Sequence, residues 1–420
     1  DNTMQQQVEL DSALAVSSKK TLWKNRTFTF VFTGYTLSMF GNSFHSIALN
    51  LWVLQATGSA KLMSTIAITH MVMSMLFSSI AGTVADRVDR RKLMWITDII
   101  RSLLILSIAF CIAIPGTPFI LIIILTALTS CAGLFQSPAF HASLVDIVGK
   151  DKVQQATGVL NVADNVSRIS GLAIGGVVVA AFGGSIAISV DAVTFMLSAI
   201  LVLLSGKFPN STKKTGIKNS FQEDLVAGFK YIWQNPFAKS VIILSPTLIT
   251  FFTASLMLIQ VMSVKVWKAN PIEFGIIESS IPIGYMLGAG IIIFFDNKLH
   301  RRGWWIILSM VLLAPIFVGL SFAPSVFYAV PLILLLGILF SFCTLLVNVI
   351  IKVEVDPELQ GRTFGTLGSL TSIASPVALA ISSFFADIYG PPLILLINGV
   401  LLFISGLIVL FFLKSIRSYK

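Results

Sequence analysis

The stretch AGTVADRVDRRKLM (Ala81–Met94) places six charged residues among the seven from Asp86 to Lys92. Long apolar runs precede and follow it, in a chain of 420 residues of which only 11% are charged. The mean hydropathy is +0.89 and 55% of the residues are hydrophobic, which is far from the composition of soluble globular proteins. We therefore interpret the charged stretch as a short polar loop between two membrane-spanning segments.

Apolar runs long enough for a membrane helix recur along the whole chain. A bilayer core about 30 Å thick needs roughly 20 apolar residues per helix, and backbone groups that face lipid must bond within their own segment. The chain is therefore predicted to be an all-α integral membrane protein. Its twelve predicted transmembrane helices lie at 27–55, 59–85, 92–114, 118–140, 156–181, 185–205, 239–264, 272–295, 303–322, 325–351, 362–387 and 391–413.

A long polar segment divides these spans into two sets of six. The predicted order is an N-terminal tail (1–26), a six-helix bundle (27–205), a linker (206–238), a second six-helix bundle (239–413) and a short tail (414–420). Apolar residues of the linker recur at helical spacing, which predicts an amphipathic helix on the inner membrane surface. These residues are Phe221, Leu225, Phe229, Ile232 and Trp233.

The two halves resemble each other in their loops. Asp86 precedes an Arg90-Arg91 pair after span 2, and Asp296 precedes an Arg301-Arg302 pair after span 8. Weak internal repeats of this kind indicate two pseudo-symmetric bundles with the substrate route between them.

Basic residues predict the orientation. With both termini in the cytoplasm, 24 of the 29 Lys and Arg residues fall on the cytoplasmic side, and only Lys61, Lys265 and Lys268 fall outside. This asymmetry follows the positive-inside rule. It accounts for most of the net charge of +10, so a nucleic-acid partner is not expected.

The sequence favours transport over catalysis. It contains no phosphate-binding glycine-rich loop and no nucleophile elbow, and its three cysteines and four histidines lack metal-ligand spacing. No cofactor, no metal and no enzymatic activity are predicted. A non-transporting membrane sensor or lipid-handling protein stays an alternative, although the 33-residue linker is the largest soluble segment.

Twelve spans in two sets of six, together with GTVADRVDRRK between spans 2 and 3, resemble the major facilitator superfamily. Gly82, Asp86 and the arginines at 87, 90 and 91 match the loop motif of that family, whereas Asp89 replaces its second glycine. The same departure is familiar in macrolide-efflux-like drug:proton antiporters. The segments AISVDAVTFMLSA, DLVAGFKYIWQNP and PELQGRTFGTLGSLTSIASPVALAISSFFAD are similar to that branch as well.

The resemblance implies a monomeric exporter in the bacterial cytoplasmic membrane. Its substrates would be amphipathic small molecules, drug-like or macrolide-like, exchanged for protons by alternating access, with membrane lipids around it. Export of a native metabolite such as a siderophore stays an alternative, because relatives of similar sequence perform it. Facilitated uptake by a uniporter also stays open, although membrane-embedded carboxylates favour ion coupling.

The charged loop is predicted to be a cytoplasmic gate. Gly82 would let two helices approach closely, and Asp86 could sit at the positive N-terminal end of a neighbouring helix. The resemblance implies that this helix belongs to the other half and begins near Gly361-Arg362. The remaining residues, Arg87, Arg90 and Arg91, would add inter-helix and headgroup contacts. A basic loop that only sets the orientation is the alternative.

Ionisable residues inside spans are costly and are candidates for proton coupling. Besides Glu278 they are Asp98, Arg101, Asp164, Arg168 and Asp191. Asp98 with Arg101 and Asp164 with Arg168 are spaced three and four residues apart, so each pair could instead neutralise itself on its own helix.

Depth and family architecture rank these candidates. Arg168 lies roughly 18 Å into its span at 1.5 Å per residue, near the midplane, where it could contact an anion or relay charge. The resemblance places spans 3 and 6 at the periphery, so Asp98 and Asp191 would be structural or coupled to the gate.

Glu278 is predicted to carry the coupling proton. It lies on the order of 9 Å into span 8, and no Lys or Arg follows within the next two turns to neutralise it. It also matches an acidic position of macrolide-efflux relatives by resemblance. The alternative is a hydrated, idle carboxylate near the interface.

Polar residues on cavity-lining spans are candidates for the substrate site. Tyr35, Ser38, Asn42 and His45 recur at helical spacing on span 1. The weaker candidates are Gln136, Gln260, Tyr285 and Asn348. On span 5, the glycines of SRISGLAIGG, among them Gly176, predict tight packing against another span.

Overall fold

A computed structural model describes residues 22–209, 221–295, 298 and 300–419. These residues are almost entirely α-helical, and no β-strand occurs among them. The helices before the linker are α1 (Arg26–Thr57), α2 (Ala60–Arg87), α3 (Arg90–Ala113), α4 (Phe119–Val148), α5 (Val153–Phe182) and α6 (Gly184–Leu204). The linker helix is α7 (Phe221–Gln234). It is followed by α8 (Pro236–Lys265), α9 (Pro271–Phe294), α10 (Arg302–Phe322), α11 (Val326–Glu354), α12 (Pro357–Tyr389), α13 (Pro391–Phe412) and a last turn, α14 (Lys414–Arg417).

The predicted all-α membrane fold is confirmed. A helix covers each of the twelve predicted spans, and eleven of these helices are long and apolar enough, by length and composition, to cross a membrane. The helix outside this set is α1. Its apolar residues are interspersed with polar ones, among them Thr36, Ser38 and Asn42, which lower the hydropathy of every stretch.

Helix ends differ from the predicted spans where a capping residue sets them. Helix α8 begins at Pro236, because the Asn235 side chain accepts hydrogen bonds from the next two free amides at 3.0 and 3.2 Å. Helix α12 begins at Pro357, a residue favoured in the first turn. The predicted start near Gly361-Arg362 is therefore wrong by about one turn.

Helix α7 lies within the segment that was predicted to carry a linker helix. It packs against α8 and α12. Ile232 is buried, whereas Phe229 and Trp233 stack with centroids 6.1 Å apart and remain about half exposed. The side chains of Phe221 and Leu225 lie outside the described residues, and the location of this helix at the membrane surface stays a prediction.

The described residues group into two compact units. The first takes the residues up to Ser43, Leu76–Arg168 and those from Ile188 to Lys214. The second takes Phe44–Met75, Ile169–Ala187 and those from Thr215 onward. The boundaries fall inside α1, α2, α5 and α6, so the predicted division into bundles 27–205 and 239–413 stays a prediction.

Close packing within the second unit includes the predicted contact of span 5. A methyl group added to Gly176 on α5 would lie 3.1 Å from the Cα atom of Gly275 on α9. The backbones of the two helices therefore approach closely enough that only glycine fits, which is typical of helix pairs in membranes. The prediction that Gly176 permits tight packing is confirmed.

Candidate functional site

The first unit contains a group of buried polar residues that we call the buried charge cluster: Asp98, Arg101, Gln136, Asp191, Thr194 and Ser198. Asp98 and Asp191 are completely buried. Arg101 interacts electrostatically with both carboxylates. The cluster joins α3, which carries Asp98 and Arg101, to α4 and α6.

Hydrogen bonds in this cluster run between helices rather than along α3. The Ser198 hydroxyl donates to Asp98 Oδ2 at 2.8 Å, and Arg101 Nη1 donates to Gln136 Oε1 at 3.2 Å. The Arg101 guanidinium also lies 4.1 Å above the centroid of the Phe195 ring, a cation–π distance. No hydrogen bond or ion pair within 4 Å joins Asp98 to Arg101 among the described residues, although the guanidinium acts electrostatically on Asp98 and also on Asp191. The pair therefore does not neutralise itself alone on α3, and Gln136 belongs to this cluster.

A second polar group of the first unit centres on Asp164. Its Oδ2 atom accepts a hydrogen bond from the Tyr35 hydroxyl at 3.1 Å. The Tyr35 ring stacks on Phe140 with centroids 4.3 Å apart and planes at 4°. Arg168 is exposed and makes no hydrogen bond or ion pair with the residues that the structure describes. The alternative in which Asp164 and Arg168 neutralise each other is therefore not found.

The predicted stripe on α1 separates into different environments. Tyr35 and His45 are partly buried, and Asn42 is exposed. Ser38 is only 2% exposed, and its hydroxyl bonds to the Tyr35 carbonyl of its own helix at 2.9 Å. Placing Ser38 on a cavity wall was therefore wrong, because its hydroxyl is turned onto the backbone.

The second unit contains the predicted carboxylate of α9. Glu278 Oε2 accepts a hydrogen bond from Gln260 Nε2 of α8 at 2.7 Å. The other oxygen, Oε1, is buried and has no hydrogen-bond partner among the described residues. An ionised carboxylate can only accept hydrogen bonds, whereas a protonated one also donates. Among the residues that the structure describes, the hydrogen-bond partner of Glu278 is a neutral amide, and no cation acts on its carboxyl group.

Aromatic and hydroxyl groups join α8, α9 and α11 in the same unit. The Tyr285 hydroxyl lies 3.1 Å from Thr344 Oγ1. Phe252 and Phe340 stack with centroids 3.5 Å apart, and the Tyr285 ring is tilted at 6.1 Å from Phe340. The last predicted cavity residue, Asn348, is exposed on α11. This part of the unit is amphipathic, because apolar rings lie next to the hydroxyl groups of Tyr285 and Thr344.

Asp89 of the charged loop is the N-cap of α3. Its carboxylate accepts a hydrogen bond from the Arg91 amide at 3.1 Å, and aspartate is a favoured N-cap residue. The residue that departs from the superfamily motif thus has a local structural role.

Two arginines of the same loop contact helices of the first unit. Arg90 Nη1 forms an ion pair with Asp146 of α4 at 2.8 Å. Arg91 Nη2 donates to the Leu203 carbonyl at the end of α6 at 2.6 Å, where carbonyls lack helical partners. These bonds tie the start of α3 to the ends of α4 and α6.

The predicted close helix contact concerns Gly82 in the last turns of α2. A methyl group added to Gly82 would meet no atom within 4 Å in the described part of the chain. Asp86 and Arg87 are exposed. The predicted partner near Gly361-Arg362 lies outside the residues whose side chains are described, so the close approach at Gly82 and the cytoplasmic gate stay predictions.

Comparison with known proteins identifies the family. The family model described as transmembrane secretion effector, of the major facilitator type, matches residues 18–418. The chain belongs to this family. It is a membrane transporter of the major facilitator type and not an enzyme.

Curated relatives of the transporter are distant but match over most of their length. Macrolide efflux protein A of Streptococcus pyogenes is 21% identical over 386 residues, which cover 90% of this chain and 94% of the relative. The multidrug efflux pump Tap of Mycolicibacterium fortuitum is 22% identical over 358 residues, 83% of this chain and 87% of the relative. The predicted resemblance to the macrolide-efflux branch is confirmed.

Solved structures share the fold of the transporter. The nucleoside transporter NupG has a TM-score of 0.69 at 16% identity, covering 95% of this chain and all of its own. A bacterial homologue of the human lysosomal transporter Spinster, solved inward-facing and unoccupied, has a TM-score of 0.70 at 11% identity, with 95% of this chain and 97% of that chain covered. At these identities the likeness establishes the major facilitator fold.

Several residues of these sites were missed by the sequence analysis. Asp146, Thr194, Ser198, Phe252 and Thr344 each lie far along the chain from the group that they contact, or look like ordinary membrane core. Asp146 alone carried a signal, since an acidic residue next to an inner loop is a candidate partner for the arginines of the charged stretch.

Proposed function

We propose that this transporter exports amphipathic small molecules from the bacterial cytoplasm in exchange for protons. The observation that carries the proposal is the Glu278–Gln260 pair. Its carboxylate is bound to a neutral amide, and its second oxygen is buried and has no hydrogen-bond partner in the portion of the chain that the structure describes. Such a group can gain and lose a proton without breaking an ion pair. The efflux relatives support the direction of transport.

Two other features support an amphipathic substrate. Aromatic rings at Phe252, Tyr285 and Phe340 offer apolar surface close to a hydroxyl pair, as adaptable ligand sites do. In the first unit, Arg168 is exposed at the depth predicted for a substrate contact. Glu278, when ionised, would attract a cationic group of the substrate, and Arg168 would attract an anionic one.

The orientation and the assembly are part of the same proposal. We place both termini in the cytoplasm because 24 of the 29 basic residues lie on that side, and we propose a lipid-embedded monomer without a nucleic-acid partner. A single cysteine in the 206–238 segment should resist an impermeant label in intact cells. Labelling of this cysteine from outside would show that the segment faces the exterior and would contradict the proposed orientation.

Everted membrane vesicles test the transport reaction. An interior-acid gradient should drive accumulation of at least one member of a panel that contains a macrolide, other amphipathic cations and a siderophore. Collapse of the gradient with a protonophore should abolish the accumulation. Accumulation that is equal with and without the gradient would exclude proton antiport, and uptake of the siderophore alone would identify a metabolite exporter.

The variant Glu278→Gln tests the residue assignment in the same vesicles. It should lose gradient-driven accumulation, because the amide cannot carry a proton. Glu273→Gln is the matched control, because Glu273 lies in the first turn of the same helix and its substitution removes the same charge. Equal loss in both variants would point to a general effect of charge on α9 and would contradict the assignment.

A further inference from the structure

The carboxylate of Asp387, near the end of α12, is bound to the first residues of α2. Its Oδ2 atom accepts a hydrogen bond from the Ser59 hydroxyl at 2.8 Å and from the Lys61 amide at 3.1 Å. Its Oδ1 atom accepts one from the Ala60 amide at 2.8 Å. The segments belong to the same compact unit although more than 300 residues separate them.

The chemistry of this contact is that of an occupied helix N-terminus. The first amides of a helix have no partner within the helix, and the helix dipole favours a negative charge there. Ser59 also accepts a hydrogen bond from the Leu62 amide at 3.2 Å, so it caps α2 while it donates to Asp387. Three donors on one carboxylate make a charge-assisted contact that is stronger than a neutral one.

The contact lies at the end of the unit that the basic residues predict to face the cell exterior. The Gly176–Gly275 contact of α5 with the first turns of α9 is at the same end. Both contacts join a segment that precedes the linker to one that follows it, within a single unit. They are the kind of contact that must separate if this end is to open.

We infer that Asp387 is a positioning residue of the transport cycle, a carboxylate latch that holds the outer ends of α2 and α12 together and releases α2 when the outer side opens. The inference rests on the proposed alternating access. Together with the gate predicted from the sequence, it would give each of these two helices a carboxylate contact at both ends. Asp86, in the last turn of α2, is predicted to bind the N-terminus of a helix of the other half, and Asp387, in the last turn of α12, binds the N-terminus of α2.

Distances between spin labels at positions 61 and 389 test the latch without any substrate. Lys61→Cys keeps the backbone amide that binds Asp387, and Tyr389 is the exposed last residue of α12. Both labels are introduced after Cys111, Cys131 and Cys343 are replaced by serine. This measurement needs no transport. The distances can therefore contradict the latch while the vesicle assay supports proton antiport, and the vesicle assay can contradict antiport while the distances support the latch.

Asp387→Asn should increase the population with a long label distance about tenfold, the order expected when hydrogen bonds to a charged group are lost. Asp387→Glu should restore much of the short distance. Glu273→Gln, a carboxylate in the first turn of α9 at the same end, should leave the distribution unchanged. An unchanged distribution in Asp387→Asn, or an equal change in the control, would overturn the latch.

Ser59→Ala keeps the inference testable if the Asp387 variant does not fold. It removes one of the three donors and should shift the distribution in the same direction by a smaller amount. Where both variants fold, the double variant should show less than the sum of the two effects, because the residues act through one contact. Strict additivity would mean that Ser59 and Asp387 act separately and would contradict the latch.

Discussion

The buried charge cluster of the first unit and the Glu278–Gln260 pair of the second contain similar groups in opposite electrostatic settings. In the cluster, Arg101 acts on two carboxylates, Asp98 and Asp191. At the pair, Glu278 has an amide as its partner, and its second oxygen has no hydrogen-bond partner within the described part of the chain. Both groups combine carboxylate with amide, and the difference between them is a guanidinium.

That difference separates a structural role from a transport role. A buried carboxylate that is held by a cation and by inter-helix hydrogen bonds contributes to the packing of three helices, and removing its partner leaves an uncompensated charge. A carboxylate beside a neutral amide loses no ion pair when it is protonated. We therefore expect substitutions in the cluster to change stability first and substitutions at Glu278 to change transport first.

The largest expected effect is that of Arg101→Met. It leaves Asp98 and Asp191 buried without their cation and should lower the free energy of unfolding by about 3–5 kcal/mol. Thermal unfolding of the purified protein in detergent is the measurement. Arg101→Lys, which keeps the charge but changes the donor geometry, should lose less. Wild-type stability of Arg101→Met would show that the guanidinium does not compensate the cluster.

Glu278→Gln should show the opposite pattern. Its stability should stay within about 1 kcal/mol of the wild type, because the replacing amide can still accept the hydrogen bond from Gln260 and no ion pair is broken. Gradient-driven accumulation should fall at least tenfold. Unfolding and transport are compared on the same preparation. A stability loss as large as that of Arg101→Met would show that Glu278 stabilises the fold as the cluster does, and it would contradict the proposed difference between the two groups.

The sequence was sufficient for the fold, because hydropathy is a property of consecutive residues. All twelve spans contain a helix, and the departures are at ends that a cap determines, such as Asn235 before α8. Tight packing at Gly176 could also be predicted, since small residues at a helix contact leave a local signature.

The partners inside the bilayer could not be predicted in the same way. Spacing alone left open whether Asp98 pairs with Arg101 and Asp164 with Arg168, because residues three and four apart share a helix face. In the structure their hydrogen bonds come from Ser198 and Tyr35, which lie 100 and 129 residues away. Tertiary packing brings these hydroxyls within reach, and a single sequence holds no local trace of that contact.

Ser198→Ala sharpens the structural half of the comparison. Ser198 is 2% exposed and donates to Asp98 at 2.8 Å, so its removal leaves a buried carboxylate oxygen without its donor. The expected loss is about 1–3 kcal/mol. Ser369→Ala is the control, because within the described residues that hydroxyl bonds only to the Gly365 carbonyl of its own helix, in an exposed hydrogen bond. The two variants should differ clearly in thermal unfolding, and equal losses would show that Asp98 does not depend on Ser198.

Gln260→Leu is expected to have the smallest effect and isolates the amide from the acid. It removes the donor to Glu278 Oε2 while the carboxyl group stays. The loss of one hydrogen bond should lower the free energy of unfolding by about 0.5–1.5 kcal/mol. Gradient-driven accumulation should be reduced but present, because the proton carrier remains. Initial rates of accumulation in everted vesicles, measured for Gln260→Leu and Glu278→Gln side by side, show which variant loses more transport.

If Gln260→Leu abolished accumulation as completely as Glu278→Gln does, the two side chains would act as one unit and the carboxyl group alone would not account for proton coupling. If Glu278→Gln transported as well as Gln260→Leu, the proton would be carried elsewhere, and Asp164, whose Oδ2 atom accepts a hydrogen bond from the neutral hydroxyl of Tyr35, would be the next residue to test.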